Sequence, residues 1–149
     1  MKYFVVFASL FLATNALSQD FIDKFVAKVK SIGETCVPET NASKDDISSL
    51  LAHKMPDSHE GKCLIFCFHK QFQIQNDDGS INREGAIKAL EPLKADDAEL
   101  YEKVISIFKK CESTPVDGDS CLYAASLAEC AVKEGRAMGL DNLIVLEIE

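Results

Sequence analysis

Positive charge is in short supply in this chain. Its 149 residues include 16 Lys and Arg against 24 Asp and Glu, a formal net charge of −8 with the histidines neutral. An acidic surface repels phosphate backbones and anionic headgroups, so neither nucleic acid nor electrostatic membrane docking is expected. Beyond the N-terminus no apolar run is long enough to span a bilayer. Catalytic signatures are missing as well. No G-x-S-x-G or H-E-x-x-H occurs, and His53, His59 and His69 are scattered. A secreted, disulfide-rich phospholipase would need adjacent cysteines before its histidine and a glycine-rich calcium loop, and Cys67-Phe68-His69 has neither. No enzyme is expected. Asn76-Asp77-Asp78-Gly79-Ser80 has the look of a calcium loop, but alignment on Gly79 puts Ile74 and Gly85 where carboxylates are required. It reads as a turn. Zinc sites favour paired spacings such as C-x₂-C, and only a C-x₃-C is present. Neither a metal nor a cofactor is expected.

What is present starts at residue 1. Met1-Lys2 is a short basic start, and Tyr3 to Ala13 is an apolar core of signal-peptide length. Ala16-Leu17-Ser18 sets small residues at both positions read by signal peptidase, so cleavage is expected after Ser18, with Ala16 as second choice. Residues 1–18 are thus read as a signal peptide and 19–149 as one secreted domain, long enough for a core of its own.

All six cysteines, Cys36, Cys63, Cys67, Cys111, Cys121 and Cys130, lie in the mature part. An even count in a small secreted chain indicates a disulfide framework, with 15 pairings open. Lys62 to Phe72 is an amphipathic helical stretch with Cys63 and Cys67 one turn apart. Cβ atoms at i and i+4 lie about 5–6 Å apart, whereas a disulfide needs about 3.5–4.5 Å. These two cysteines therefore bond two other segments. Cys121 and Cys130 fall on opposite faces of a helical run, roughly 13 Å apart along its axis, and must also bond elsewhere. Geometry alone leaves the remaining pairings open.

Apolar periodicity predicts helices along the mature chain. Phe21, Ile22, Phe25, Val26, Val29 and Ile32 form the first, capped by Asp20 and ended by Gly33 and Val37-Pro38. Asn41-Ala42-Ser43 is a glycosylation sequon, and Asn41 or Ser43 also suits an N-cap. Asp45 to Lys54 is a short helix with Ile47, Leu50 and Leu51 inward. Ser58 caps the cysteine helix, which runs to about Phe72. Ile81 to about Leu93 is the fourth, with Pro92 near its end, and Asp96 or Asp97 opens a fifth that reaches Cys111. Ser120 caps the sixth, closed by Gly135. Ala124, Ala125, Ala128 and Ala131 allow that helix either close packing or empty volume beside it.

The spacing C-x₂₆-C-x₃-C-x₄₃-C-x₉-C-x₈-C, behind a signal peptide and on a helical chain, resembles the insect odorant-binding and pheromone-binding protein family of six-cysteine type. The x₃ and x₈ intervals are its most specific features. The resemblance covers the mature chain and implies an all-α, compact bundle of six helices, with a C-terminal seventh as an option, around an apolar cavity. It implies the pairing Cys36–Cys67, Cys63–Cys121 and Cys111–Cys130. It also implies a secreted carrier of a small hydrophobic, odorant- or pheromone-like ligand through aqueous fluid such as sensillum lymph. A non-olfactory carrier and a dry-core helical interaction protein are the alternatives. An olfactory receptor, a membrane encounter and a weak homodimer are further partner candidates.

Helical periodicity nominates an inward set for such a ligand: Phe25, Val29, Leu51, Met55, Leu64, Phe68, Leu90, Val104, Phe108, Tyr123 and Leu127. Tyr101, Ser106 and Tyr123 are candidates for one polar contact. The tail Leu143 to Glu149 is too apolar to stand in water, so Leu143 and Val145 join the set as part of a lid or of a segment that enters the cavity.

Overall fold

The computed structural model describes residues 17–140. Within them the chain forms α1 (Gln19–Thr40), α2 (Lys44–Leu51), α3 (His59–Gln71), α4 (Arg83–Ala89), α5 (Glu91–Asp96), α6 (Ala98–Cys111) and α7 (Ser120–Ala137). Among the described residues, strand-like pairing is confined to an isolated antiparallel bridge between Gln75 and Ile81. No helix among them is long and apolar enough to cross a membrane. The expected all-α bundle is present. Any C-terminal helix falls on residues 141–149, outside the described residues.

Side-chain caps satisfy the first free amides of most helices. Ser43 closes a reciprocal capping box with Asp46, and Ser58 caps α3 by accepting from the Gly61 amide. Asp97 does the same for α6 through Leu100. Several boundaries differ from the sequence reading; the second helix, expected to reach Lys54, ends at Leu51, and others differ for local reasons. Ser18, not Asp20, caps α1, since its hydroxyl accepts from the Phe21 amide while Asp20 pairs with Lys24. That helix also runs through Pro38 to Thr40. A proline so near the end forfeits one backbone bond, and the Thr40 hydroxyl donates to the Cys36 carbonyl at 2.8 Å in the same turn. The single helix expected over Ile81 to Leu93 is two, because Pro92 sits in the first turn of α5, where its missing N–H costs nothing. Finally, Asp119 rather than Ser120 caps α7, accepting from the Cys121 and Leu122 amides at 2.8 and 3.2 Å, and the helix passes Gly135 to end at Ala137.

The cysteine helix α3 lies at the centre. It packs on α1 and more extensively on α7, while α6 lies against α5 and α7. Cys36–Cys67 ties α3 to α1, Cys63–Cys121 ties it to the start of α7, and Cys111–Cys130 ties α6 to α7. Ten of the buried apolar residues fall in three clusters. Ile32, Cys36, Leu64 and Cys67 join α1 to α3. Ile65, Ala124 and Ala125 join α3 to α7. Leu93, Tyr101 and Ile105 join α5 to α6. The alanines of α7 thus divide. Ala124 and Ala125 allow close contact with Ile65, and Ala131 is exposed.

Loop closure makes each bond worth about 3–4 kcal/mol for separations of this size. Cys63→Ser and Cys121→Ser are each expected to cost about 2–5 kcal/mol in chemical denaturation, and the double variant about the same as either single, because one bond is lost in all three. Additive losses would show that the two cysteines have different partners.

Candidate ligand-binding site

A row of large rings links two of the buried clusters. Phe21 packs against the α5–α6 cluster and stacks on Phe25, centroids 6.2 Å apart. Phe25 in turn meets Phe72, which packs against the α1–α3 cluster, at 6.0 Å. All three are one helix turn apart or face one another because α1 and α3 run side by side. All three are only half-buried. Lys28 lies 4.8 Å over the Phe72 ring, covering it from the solvent side of α1 with a cation–π contact.

Five of the nominated ligand residues, Phe25, Leu64, Phe68, Leu90 and Val104, belong to this row or to the two clusters it joins. Leu64, Tyr123 and Leu127 are buried. Phe25, Val29, Met55, Phe68, Leu90, Val104 and Phe108 are half-buried. Phe68 packs against the α1–α3 cluster, Met55 against the α3–α7 cluster, and Leu90 and Val104 against the α5–α6 cluster. Two expectations fail. Leu51 is 44% exposed, since α2 ends there and turns its last residue outward. Ser106 is exposed on α6 and cannot supply a polar contact inside the bundle, whereas Tyr101 is buried. Leu143 and Val145 lie outside the described residues. Phe72 and Ile65 were not nominated, although both continue the cysteine helix's own apolar spacing.

Among the described residues, cavities open at the surface in two places of note. One, of about 300 Å³, runs along the outside of α3 and is lined by Glu39, His59, Phe66 and Lys70 beside the two disulfides. His59 Nδ1 is 3.7 Å from Cys63 Sγ, and its Nε2 is 2.8 Å from Asp119 Oδ2. His59, Cys63 and Cys121 converge closely enough to suggest a metal centre. The two sulfurs are bonded to each other, so they present no thiolate and the trio does not fit a metal. The other cavity, about 320 Å³, lies between the turn after α3 and the loop before α7, with Tyr123 in its wall.

Comparison with known proteins now bears on the site. The model of the PBP/GOBP family matches residues 18–134. The chain belongs to the PBP/GOBP family. It is 31% identical to general odorant-binding protein 19d of Drosophila melanogaster over 129 residues, 87% of this chain and 85% of that one. With general odorant-binding protein 28a of the same fly it shares 24% identity over 137 residues, 91% and 96% of the two chains. In fold it is similar to the solved structure of that 28a protein, with a TM-score of 0.68 over 78% of this chain and 97% of that one, at 24% identity. It is also similar to odorant binding protein 5 of Apis mellifera, with a TM-score of 0.61 over 79% and 92%, at 19% identity.

In this family member a buried polar link fastens the segment after α3. Gln75, 2% exposed, donates from Nε2 to the Gly79 carbonyl at 2.8 Å. That bond orients the amide so that Oε1 faces His69 Nδ1 at 2.7 Å, and Nδ1 carries the hydrogen. Gly79 has a φ of +86° and its backbone meets Ser120, so the turn rests directly on the start of α7. Burial holds the His69 pKa below its ordinary value, outweighing the Gln75 hydrogen bond, which acts the other way. The fold therefore favours neutral His69. As pH falls below the ordinary histidine value of about 6.5, the unfolded chain binds this proton first, and stability falls with it. The depressed carboxylates Asp46, Asp78 and Asp119 act only at lower pH, near or below about 4. Denaturation midpoints are expected to drop between pH 7 and 5.5, and His69→Gln should flatten that slope. An unchanged slope in the variant would assign it to other groups.

Proposed function

We propose that this protein is a secreted carrier. It takes a small, neutral, hydrophobic molecule of odorant or pheromone type into the bundle and moves it through aqueous fluid. The observation that supports this most is the Phe21–Phe25–Phe72 row, half-buried between separate buried clusters. Fully hiding a ring of that size is worth roughly 1.5–3 kcal/mol, and a bundle with a single continuous core would take that gain for itself. Here it is left to a guest. Membership of the PBP/GOBP family, with fly relatives named as odorant-binding proteins, points the same way. Phe25, Val29, Phe68, Leu90, Val104 and Phe108 form the apolar wall in this reading.

A guest of about ten to sixteen carbons gains burial but few hydrogen bonds, which corresponds to micromolar affinity, about −8 kcal/mol. A neutral solvatochromic probe is expected to bind in that range and to be displaced by long-chain alcohols or esters. Failure of every such probe below about 100 µM would leave a dry-core interaction protein as the better description.

The apolar tail acts as a lid in the same reading, with Leu143 and Val145 against the guest. Burying Glu147, Glu149 and the terminal carboxylate unpaired would be costly at neutral pH, and protonation below about pH 5 relieves it. Truncation after Gly139 separates a lid from a competitor for the cavity. A lid predicts weaker binding at neutral pH in the truncated chain. A competitor predicts unchanged neutral binding and restored binding in acid.

A further inference from the structure

The 320 Å³ cavity beside Tyr123 differs in chemistry from the apolar row. Ile81 and Val116 give it hydrocarbon walls, and Val116 is 80% exposed, an aliphatic side chain left uncovered at the mouth. Two carboxylates, Asp78 and Asp117, stand in the same lining, and no lining residue carries positive charge. Neither carboxylate joins an ion pair among the described residues. Asp78 accepts through Oδ1 from the Ser80 amide and hydroxyl at 2.9 and 2.5 Å, which keeps it ionised. Asp117 accepts through Oδ1 from the Asp119 amide at 2.8 Å. Among the described residues, each carboxylate commits Oδ1 and leaves Oδ2 without a partner. Arg83 is held by Glu112 through two hydrogen bonds, at 2.9 and 2.6 Å.

Tyr123 supplies an independent pointer to a ligand. The residue is 3% exposed, yet its hydroxyl makes no hydrogen bond among the described residues. Tyr123 lines the cavity, and no buried side-chain polar atom among the described residues is sealed off without a partner, so this hydroxyl keeps accessible surface. Burial and the nearby Glu112 carboxylate raise its pKa, so it stays a neutral phenol able to accept from a cation. A nearly buried tyrosine normally finds a partner for its oxygen.

We infer that this cavity is a second binding site, for a small organic amine: an ammonium group placed among Asp78, Asp117 and the Tyr123 hydroxyl, its hydrocarbon or aryl body against Ile81 and Val116. A volume at the low end of ligand pockets admits only a compact body. The neutral carrier site and this one read different chemistry, so one chain holds an apolar guest and an amine together.

Titration of the full mature chain, disulfides intact, with phenethylamine tests this by amide NMR. The amine should shift Val116, Gly118 and Gly79, while 2-phenylethanol, the same body with a hydroxyl in place of the ammonium, should not. Asp117→Asn keeps the acceptor for the Asp119 amide and removes only the charge. It should weaken the amine about tenfold, the scale of one charge-assisted hydrogen bond, and leave binding of the neutral solvatochromic probe unchanged. Raising salt to about 0.5 M should weaken the amine as well. Tyr123→Phe, its fold checked by circular dichroism, should weaken the amine severalfold. The inference is overturned if amine and alcohol shift the same amides equally, if Asp117→Asn binds the amine as the parent does, or if the amine displaces the neutral probe. Amine binding that depends on Asp117 in a chain that takes up no neutral probe would uphold this site and remove the carrier reading.

Discussion

The pair of disulfides leaving α3 is the constraint on which the rest of the structure depends. Two cysteines one turn apart on a helix stand too far from each other to bond, so each reaches out, Cys67 to α1 and Cys63 to the start of α7. One 13-residue helix thereby fixes the two longest helices of the described chain. Close packing follows from that tether. Ile65 meets the small face of Ala124 and Ala125, and Leu64 meets Ile32, each within a turn of a bridged cysteine. The third bond, Cys111–Cys130, adds α6 to the second half of α7.

Covalent closure of this kind relieves the core of part of its usual task. A domain of this length can bury enough apolar surface to stand alone, yet its packed clusters of buried residues number three among the described residues, with half-buried aromatic side chains joining two of them. Disulfides constrain the unfolded chain regardless of how well the native interior is filled. They allow large rings to remain partly uncovered without loss of the fold. That permission is what a carrier needs, because a core packed to crystal density has no room for a guest.

Polar features are kept at the margins of the bundle. Gln75 and His69 join the segment after α3 to the helix itself, and Gly79 sets that segment against Ser120 at the start of α7. The same two connections, after α3 and before α7, carry the acidic side chains Asp78 and Asp117.

Much of the fold was legible in the amino-acid order. Apolar spacing marked the helices, Ser58 marked one start and Asp96 or Asp97 another, and the x₃ and x₈ intervals between cysteines carried the family. These are local signals, set by 3.6-residue periodicity and by side chains that reach amides three positions away. Local reasoning also excluded a Cys63–Cys67 bond, but it could not choose among the pairings that remained, and the pairing entered through family resemblance. The division at Leu90 and the continuation of α1 through Pro38 depended on which turn each proline occupied, and a proline in a first or last turn reads from sequence much like a breaker. Tertiary structure alone decided the rest. Leu51 follows the inward spacing of its helix and still faces water, because no neighbour covers the end of α2. Gln75 has no sequence feature that marks it as buried; it is enclosed because a turn four residues later folds back onto α7. The meeting of Asp78, Asp117 and Tyr123 joins two loops and a helix far apart in the chain. Sequence periodicity reports which face of one helix is apolar, and only the packing of several helices determines what that face meets.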